Sequence, residues 1–256
     1  MPGDHRATGF FNGAVPRILA HRGLALEAPE NTLLAFLKAL SAGATHIETD
    51  VHASLDGVAV LAHDPDLTRV AGRNVRVGQL TFAELRRVEL GHGQSFVSLA
   101  EALDSFPEVR FNIDVKALAA ADPAAQAVLE ARATDRVLIT SFSEDRRHRT
   151  VRQLPGVATS PSTPVAVRAV LAARAGLRAL ARRELADFAA LQLPEHVNGV
   201  RVITRRFVRA MHEVGVEVHV WTVNEPDDMR RLLDLGVDGL VTDRCDLAVT
   251  VISGRT

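Results

Sequence analysis

The sequence predicts an α/β chain folded as a (β/α)8 TIM-type barrel, with a small cap inserted between strands 2 and 3. Three observations carry that expectation. Apolar runs of five to seven residues, rich in β-branched side chains, alternate with longer segments of helical period, which is the pattern of βα units around a parallel sheet. Eight such runs occur. A length of 256 residues suits one barrel, and no Pro/Gly/Ser-rich or single-sign stretch breaks the chain into parts, so one barrel domain over 1–256 is expected.

In chain order the runs are RILAHR (17–22), HIETDV (46–51), RFNIDV (110–115), RVLITSF (136–142), GVATS (156–160), FAALQLP (188–194), EVHVWTV (217–223) and GLVTD (239–243). The first helix has Asn31 or Thr32 as N-cap, Leu33, Phe36, Leu37 and Leu40 on one face, and Gly43 as its stop. Near the C-terminus Asn224 can cap a helix with Pro226 in its first turn, Met229, Leu232 and Leu233 inward, and Gly236 after it. Residues 64–108 are too long for a βα loop and hold Gly72, Gly78, Gly91 and Gly93, with short helical patterns near 81–88 and 98–105; this segment is the expected cap. The Ala/Arg-rich stretch from Val165 to Ala186 fits a barrel helix or a subunit contact.

Composition narrows the function classes. With 47% apolar residues the chain can bury a sizeable core, and a formal net charge of −1 gives no basic field to hold a polyanion, which argues against nucleic acid but permits a small anion. Neither a signal-peptide pattern nor a run of about 20 apolar residues is present, so a soluble cytoplasmic protein is expected. Cys245 is the lone cysteine, which excludes an internal disulfide and a thiolate zinc cluster. Only Lys38 and Lys116 are lysines among 30 basic residues, so a lysine that persists in an arginine-dominated chain suggests a need for a compact ammonium. Lys38 lies on a helix and reads as solvated; Lys116 follows a strand.

The chemistry concentrates at the C-terminal ends of the runs, the end that a parallel barrel presents to substrate. Glu48 and Asp50 are spaced i, i+2 and emerge on one face, where they repel unless a cation or proton sits between them or arginines pair with them. Asp114, followed by Lys116, would add a third oxygen ligand, and such a set favours one hard divalent cation, Mg²⁺ or Ca²⁺, over zinc. A strand-end histidine such as His21 is commonly structural, but His63 ends a second apolar run beside the carboxylate strand. Two histidines beside a metal form the acid/base pair that phosphodiester cleavage requires. Arg22 and Lys116 would then hold the non-bridging phosphate oxygens. Trp221 reads equally as a core aromatic or as a platform for the substrate's alcohol. His46 is expected to pack within the core, His52, His92 and His219 are lesser candidates for a site role, and His5, His148, His196 and His212 read as surface residues.

HRG at 21–23, PENT at 29–32, ETDV at 48–51, DG at 56–57, HD at 63–64, WTVN at 221–224 and VDGLVTD at 237–243 together resemble the glycerophosphodiester phosphodiesterases, over about Ile18 to Asp246. The resemblance implies a TIM-type barrel, a divalent metal, and hydrolysis of glycerophosphodiesters to sn-glycerol 3-phosphate and an alcohol. By matching positions it puts the catalytic histidines on His21 and His63, the phosphate-binding arginine on Arg22 and the first metal carboxylates on Glu48 and Asp50. The third carboxylate, commonly Glu in a Glu-x-Lys pair, is Asp114 here, one methylene shorter. The resemblance also implies attack by the substrate's own glycerol hydroxyl, through a cyclic phosphate that water opens. A sphingomyelinase D-like phospholyase that stops at the cyclic phosphate, and a non-catalytic glycerophosphodiester-binding module, are the alternatives.

Overall fold

The computed structural model describes residues 8–255. Each of the eight apolar runs forms a strand: β1 Arg17–His21, β2 His46–Ala53, β3 Arg110–Val115, β4 Val137–Thr140, β5 Ala158–Thr159, β6 Ala190–Pro194, β7 Glu217–Trp221 and β8 Gly239–Thr242. Neighbours pair in parallel in the order β5-β4-β3-β2-β1-β8-β7-β6, so the ring closes except between β5 and β6. The long helices are α1 Leu33–Ser41, α2 Leu99–Ser105, α3 Ala121–Glu130, α4 Glu144–Val151, α5 Thr163–Arg174, α6 Arg178–Glu184, α7 Arg205–Glu213, α8 Pro226–Asp234 and α9 Cys245–Ser253. This is an α/β TIM-type barrel.

Period-two alternation sorts the strand residues. Ile18, Ala20, Ile47, Phe111, Ile113 and Ile139 face outward and are buried in the main core with the helices. Leu19, Leu138, Ala158, Ala190 and Val241 cluster with Phe10, whose short turn Gly9–Phe11 closes the floor. Beneath the site, Arg17 makes two 2.8 Å hydrogen bonds to Glu217, and His219 Nε2 lies 3.0 Å from the same carboxylate. Two residues further along the lumen-facing rows stand His21, Asp114, Ser160, Trp221 and Asp243, which is how the strand ends come to line the mouth.

Local capping follows the sequence in part. Thr32 caps α1, its hydroxyl accepting from the Ala35 N–H at 3.3 Å. Phe36 is buried, whereas Leu37 is 54% exposed, so the apolar stripe of α1 is narrower than the spacing implied. Glu225, not Asn224, occupies the N-cap position of α8, and Asn224 turns toward the mouth.

The insertion follows a short strand, Ala59–Leu61, that pairs antiparallel with the end of β2. It contains two antiparallel ribbons, Asp66–Leu67 with Arg73–Arg76 and Glu89–Gly91 with Gln94–Ser95, around a small core of Leu67, Val77, Leu85, Val88 and Phe96. Of the two helical patterns expected there, Phe82–Leu85 belongs to this core. Leu99, Ala102 and Leu103 instead pack α2 into the main core, so α2 is the barrel's own helix. Among the described residues no helix is long and apolar enough to cross a membrane.

Candidate active site

Pairing of β1 with β2 sets His21 opposite Glu48, and pairing of β2 with β3 sets Asp50 opposite Asp114. After His21 the chain turns sharply: Arg22 has φ 57° and Gly23 φ 86°. A Cβ on Gly23 would stand 2.7 Å from the Ala35 carbonyl carbon, so this turn requires glycine. The turn folds Arg22 back over β2. Its N–H donates to the Glu48 carbonyl at 2.9 Å, Nη1 to Glu30 Oε1 at 3.2 Å, and Nε lies 3.0 Å from Asp50 Oδ2. That last contact is an ion pair without hydrogen-bond alignment, so the buried Nε–H has no directed acceptor.

The two histidines are held in the same manner. His21 Nδ1 lies 2.7 Å from Asp243 Oδ1, and His63 Nδ1 lies 2.8 Å from Asp64 Oδ1. Both aspartates are held below the usual carboxylate range: burial opposes this at Asp64, but His63 and Arg69 outweigh it, and at Asp243 the His21 hydrogen bond leads. An ionised carboxylate only accepts, so each Nδ1 carries the hydrogen and each Nε2 is the nitrogen left for proton exchange. Burial works against charge on His21, but Glu48, whose Oε2 is 3.9 Å from Nε2, and Asp243 outweigh it and raise its pKa. Asp243 is itself fixed by Asn224 Nδ2 at 2.8 Å, while Asn224 Oδ1 accepts from the Asp243 N–H at 2.9 Å. Asp64 accepts from Arg69 Nε at 2.5 Å, and Arg69 Nη1 and Nη2 reach Glu30, which also binds Arg22.

Between the histidines lie the carboxylates. Lys116 Nζ is 2.8 Å from Asp50 Oδ1 and 2.7 Å from Asp114 Oδ2, and Asn31 Nδ2 donates to Asp50 Oδ2 at 3.2 Å. Burial, then the Asp50 charge, pushes the Glu48 carboxyl up. Burial acts the same way on Asp50, but Lys116 and Arg22 hold it low. Asp114 is raised by burial beyond what Lys116 returns, and its Oδ1 is buried without a hydrogen-bond partner. Lys116 is pushed up to about 12, since Asp114 and Asp50 outweigh its burial. Three carboxylates thus share two fixed cations, Arg22 and Lys116. Among the described residues no three side chains form a ready ligand cluster, because Lys116 stands between Asp50 and Asp114.

His21, Arg22, Glu48, Asp50, Asp114 and Lys116 therefore meet at one place. His63 faces it from the insertion side, in a cavity shared with Glu30, Asn31, Asp64 and Phe96. Trp221 lines the mouth with Phe142 edge-on at 5.8 Å, and Lys116 Nζ lies 5.6 Å from the Phe142 ring. His46 is buried on Phe10 and Thr45, His219 sits on the floor, and His52 bonds the His63 carbonyl at 3.2 Å. His92, His148, His196 and His212 are exposed, and His5 lies outside the described residues. Sequence reasoning assigned no role to Asp243, Asp64, Glu30 or Phe142. Asp243 carried a readable signal, since it ends the last apolar run.

Residues 21–247 match the Glycerophosphoryl diester phosphodiesterase family. Over 239 residues the chain is 44% identical to "Probable glycerophosphodiester phosphodiesterase 2" of Mycobacterium tuberculosis, covering 93% of this chain and 90% of that protein. A solved glycerophosphodiester phosphodiesterase of Thermotoga maritima superposes with a TM-score of 0.71 at 28% identity, covering 93% of this chain and 98% of that one. An Oleispira antarctica phosphodiesterase, solved with the product sn-glycerol-3-phosphate, shares the fold with a TM-score of 0.75 at 22% identity, covering 93% and 97%. The chain belongs to the glycerophosphoryl diester phosphodiesterase family.

Proposed function

We propose that this chain hydrolyses glycerophosphodiesters to sn-glycerol 3-phosphate and an alcohol, with His21 and His63 as the acid/base pair, as one barrel domain carrying the insertion. Family membership makes it a phosphoric diester hydrolase. The observation that carries the finer reading is the pair of histidines, each with Nδ1 fixed on an aspartate, flanking a buried carboxylate cluster with Arg22 and Lys116. One Nε2 takes the proton of the attacking hydroxyl and the other protonates the leaving alkoxide. The unaligned Arg22 Nε–H and the Lys116 ammonium are the donors for the phosphate oxygens. Phe142 and Trp221 wall the side on which the alcohol would sit.

The oxygen donors suit a divalent cation, Mg²⁺ or Ca²⁺, once Lys116 Nζ yields its place between Asp50 and Asp114. Asp114 Oδ1 lacks a partner, Glu48 is pushed toward protonation by burial and the Asp50 charge, and the oxygen donors are hard. Glu48, Asp50 and Asp114 would hold it, and when bound it supplies positive charge against the phosphate and the attacking oxygen.

Release of sn-glycerol 3-phosphate from a glycerophosphodiester, measured with and without a chelator, tests the reading. Release that chelation abolishes and Mg²⁺ or Ca²⁺ restores is expected. Full activity in metal-free protein would remove the cation, a cyclic phosphate as end product would point to a phospholyase, and binding without turnover would leave a binding module.

A further inference from the structure

We propose that the outer face of α5 and α6, with the cleft between α5 and α7, docks onto an anionic phospholipid surface. The proposal goes beyond the catalytic reading and does not depend on it. Thirteen large apolar side chains are exposed among the described residues, and six of them fall between positions 167 and 200. Four lie on the helical pair and the turn that joins it: Val167 at 49%, Leu171 at 62%, Leu177 at 54% and Leu180 at 40% exposure. Val167, Leu171 and Arg174 are spaced i, i+4, i+7 on α5 and share one face. Exposed apolar residues that adjoin one another on the surface mark an interaction site, whereas scattered ones do not.

The charge identifies the occupant. Residues 163–184 hold five arginines and one glutamate, a local charge of +4 in a chain whose net charge is −1. Arg168 pairs with Glu184 and Arg178 with Glu213, but among the described residues no carboxylate stands within ion-pair distance of Arg174, Arg183 or Arg206. Arg174 and Arg206 instead line a cavity of about 220 Å³ with Ala173, Val202, Thr204 and Phe207, and no acidic side chain contributes to it. The segment has no aromatic residue of the kind that anchors protein–protein contacts. Leucines and valines interleaved with unpaired arginines match an interfacial surface. The apolar side chains enter the headgroup boundary, the arginine stems lie along it, and the guanidiniums meet lipid phosphates, one of which the Arg174–Arg206 cavity can take.

Co-sedimentation of the full chain with vesicles tests this. At low salt the protein should partition onto vesicles containing phosphatidylglycerol and not onto pure phosphatidylcholine, and added salt should release it. Arg174→Gln with Arg206→Gln should weaken partitioning about 25-fold, from about five-fold per arginine near an anionic surface. Leu171→Ser with Leu177→Ser should weaken it at unchanged charge. All four residues are exposed and none is hydrogen-bonded or ion-paired to a residue of the site, so hydrolysis of a soluble glycerophosphodiester should be unchanged, which also verifies folding. Absence of binding to phosphatidylglycerol vesicles, equal binding to phosphatidylcholine, or wild-type partitioning of the arginine variant would overturn the proposal. A concentration-dependent dimer that blocks vesicle binding would overturn it in favour of a subunit contact.

Discussion

Asp243→Asn isolates the device that orients His21. The carboxylate accepts twice, from His21 Nδ1–H at 2.7 Å and from Asn224 Nδ2 at 2.8 Å. A carboxamide offers one acceptor oxygen and one N–H₂, so only one of those donors keeps its partner. If the amide oxygen serves Asn224, the N–H₂ faces His21, draws the other tautomer, and moves the proton onto Nε2. The charge also disappears. Because the Asp243 side chain is 49% exposed, solvent screens the pair, and the few kcal/mol of a buried charge-assisted hydrogen bond is discounted to about 1 kcal/mol. Losing that partner lowers the His21 pKa, with Glu48 still supporting its protonated form. The expected outcome is kcat reduced by about 10²-fold, KM changed much less, and the His21 limb of the kcat/KM profile displaced toward lower pH. The assay is sn-glycerol 3-phosphate release across pH, with the His21 ring titrated by NMR in the same variant. An unmoved limb with kcat within about twofold of the parent would show that Asp243 neither orients nor charges a catalytic histidine.

His21→Ala and His63→Ala should each lower kcat by about 10²-fold or more while leaving substrate binding less affected; near-parental turnover of either at every pH would make that histidine structural. Lys116→Arg should damage kcat/KM although charge is retained, because a planar fork replaces an ammonium seated 2.7 and 2.8 Å from two carboxylates; unchanged kcat/KM would make it an ordinary basic group. On the floor, burial would raise the Glu217 pKa, but Arg17 and His219 outweigh it and hold it at about 2. Its stabilisation is therefore present above the unfolded value near 4.5 and is lost as pH falls through about 2. Glu217→Gln should cost about 2–3 kcal/mol at neutral pH, with the gap to the parent closing in acid; a gap constant with pH in denaturant titrations would contradict the assignment. A substrate lacking the glycerol C2 hydroxyl should bind and resist cleavage; turnover comparable to the parent diester would make water the direct nucleophile.

The barrel was legible because strand and helix periods are local properties. Each of the eight apolar runs became a parallel strand, since buried strands demand short β-branched segments whatever their neighbours. Periodicity identified helix at 98–105 but not the core against which it packs, and α2 belongs to the barrel because Leu99, Ala102 and Leu103 meet the main core rather than the insertion. The exposure of Leu37 has the same origin. Spacing defines a stripe on a helix, while the neighbouring elements decide how wide a stripe they cover.

The site divides along the same line between local and distant. His63 and Asp64 are adjacent, so the histidine–carboxylate pair on that side stands in the sequence as one dipeptide. His21 has the same pair with Asp243, 222 residues away, and that contact exists only because β1 lies against β8 when the ring closes. Asn224 shows the complementary error. A residue just before Pro226 reads locally as a cap, yet its amide is committed to Asp243 at the end of the neighbouring strand. Lys116 stands out in the sequence by a different signal, persistence as lysine among arginines, and the structure seats it between Asp50 and Asp114. The two oxygens lie at nearly equal distances around a single nitrogen, which a point ammonium satisfies and a forked guanidinium does not. Closure of the barrel thus converts a motif that is half written in sequence into two histidines with matching geometry on either side of one acidic cluster.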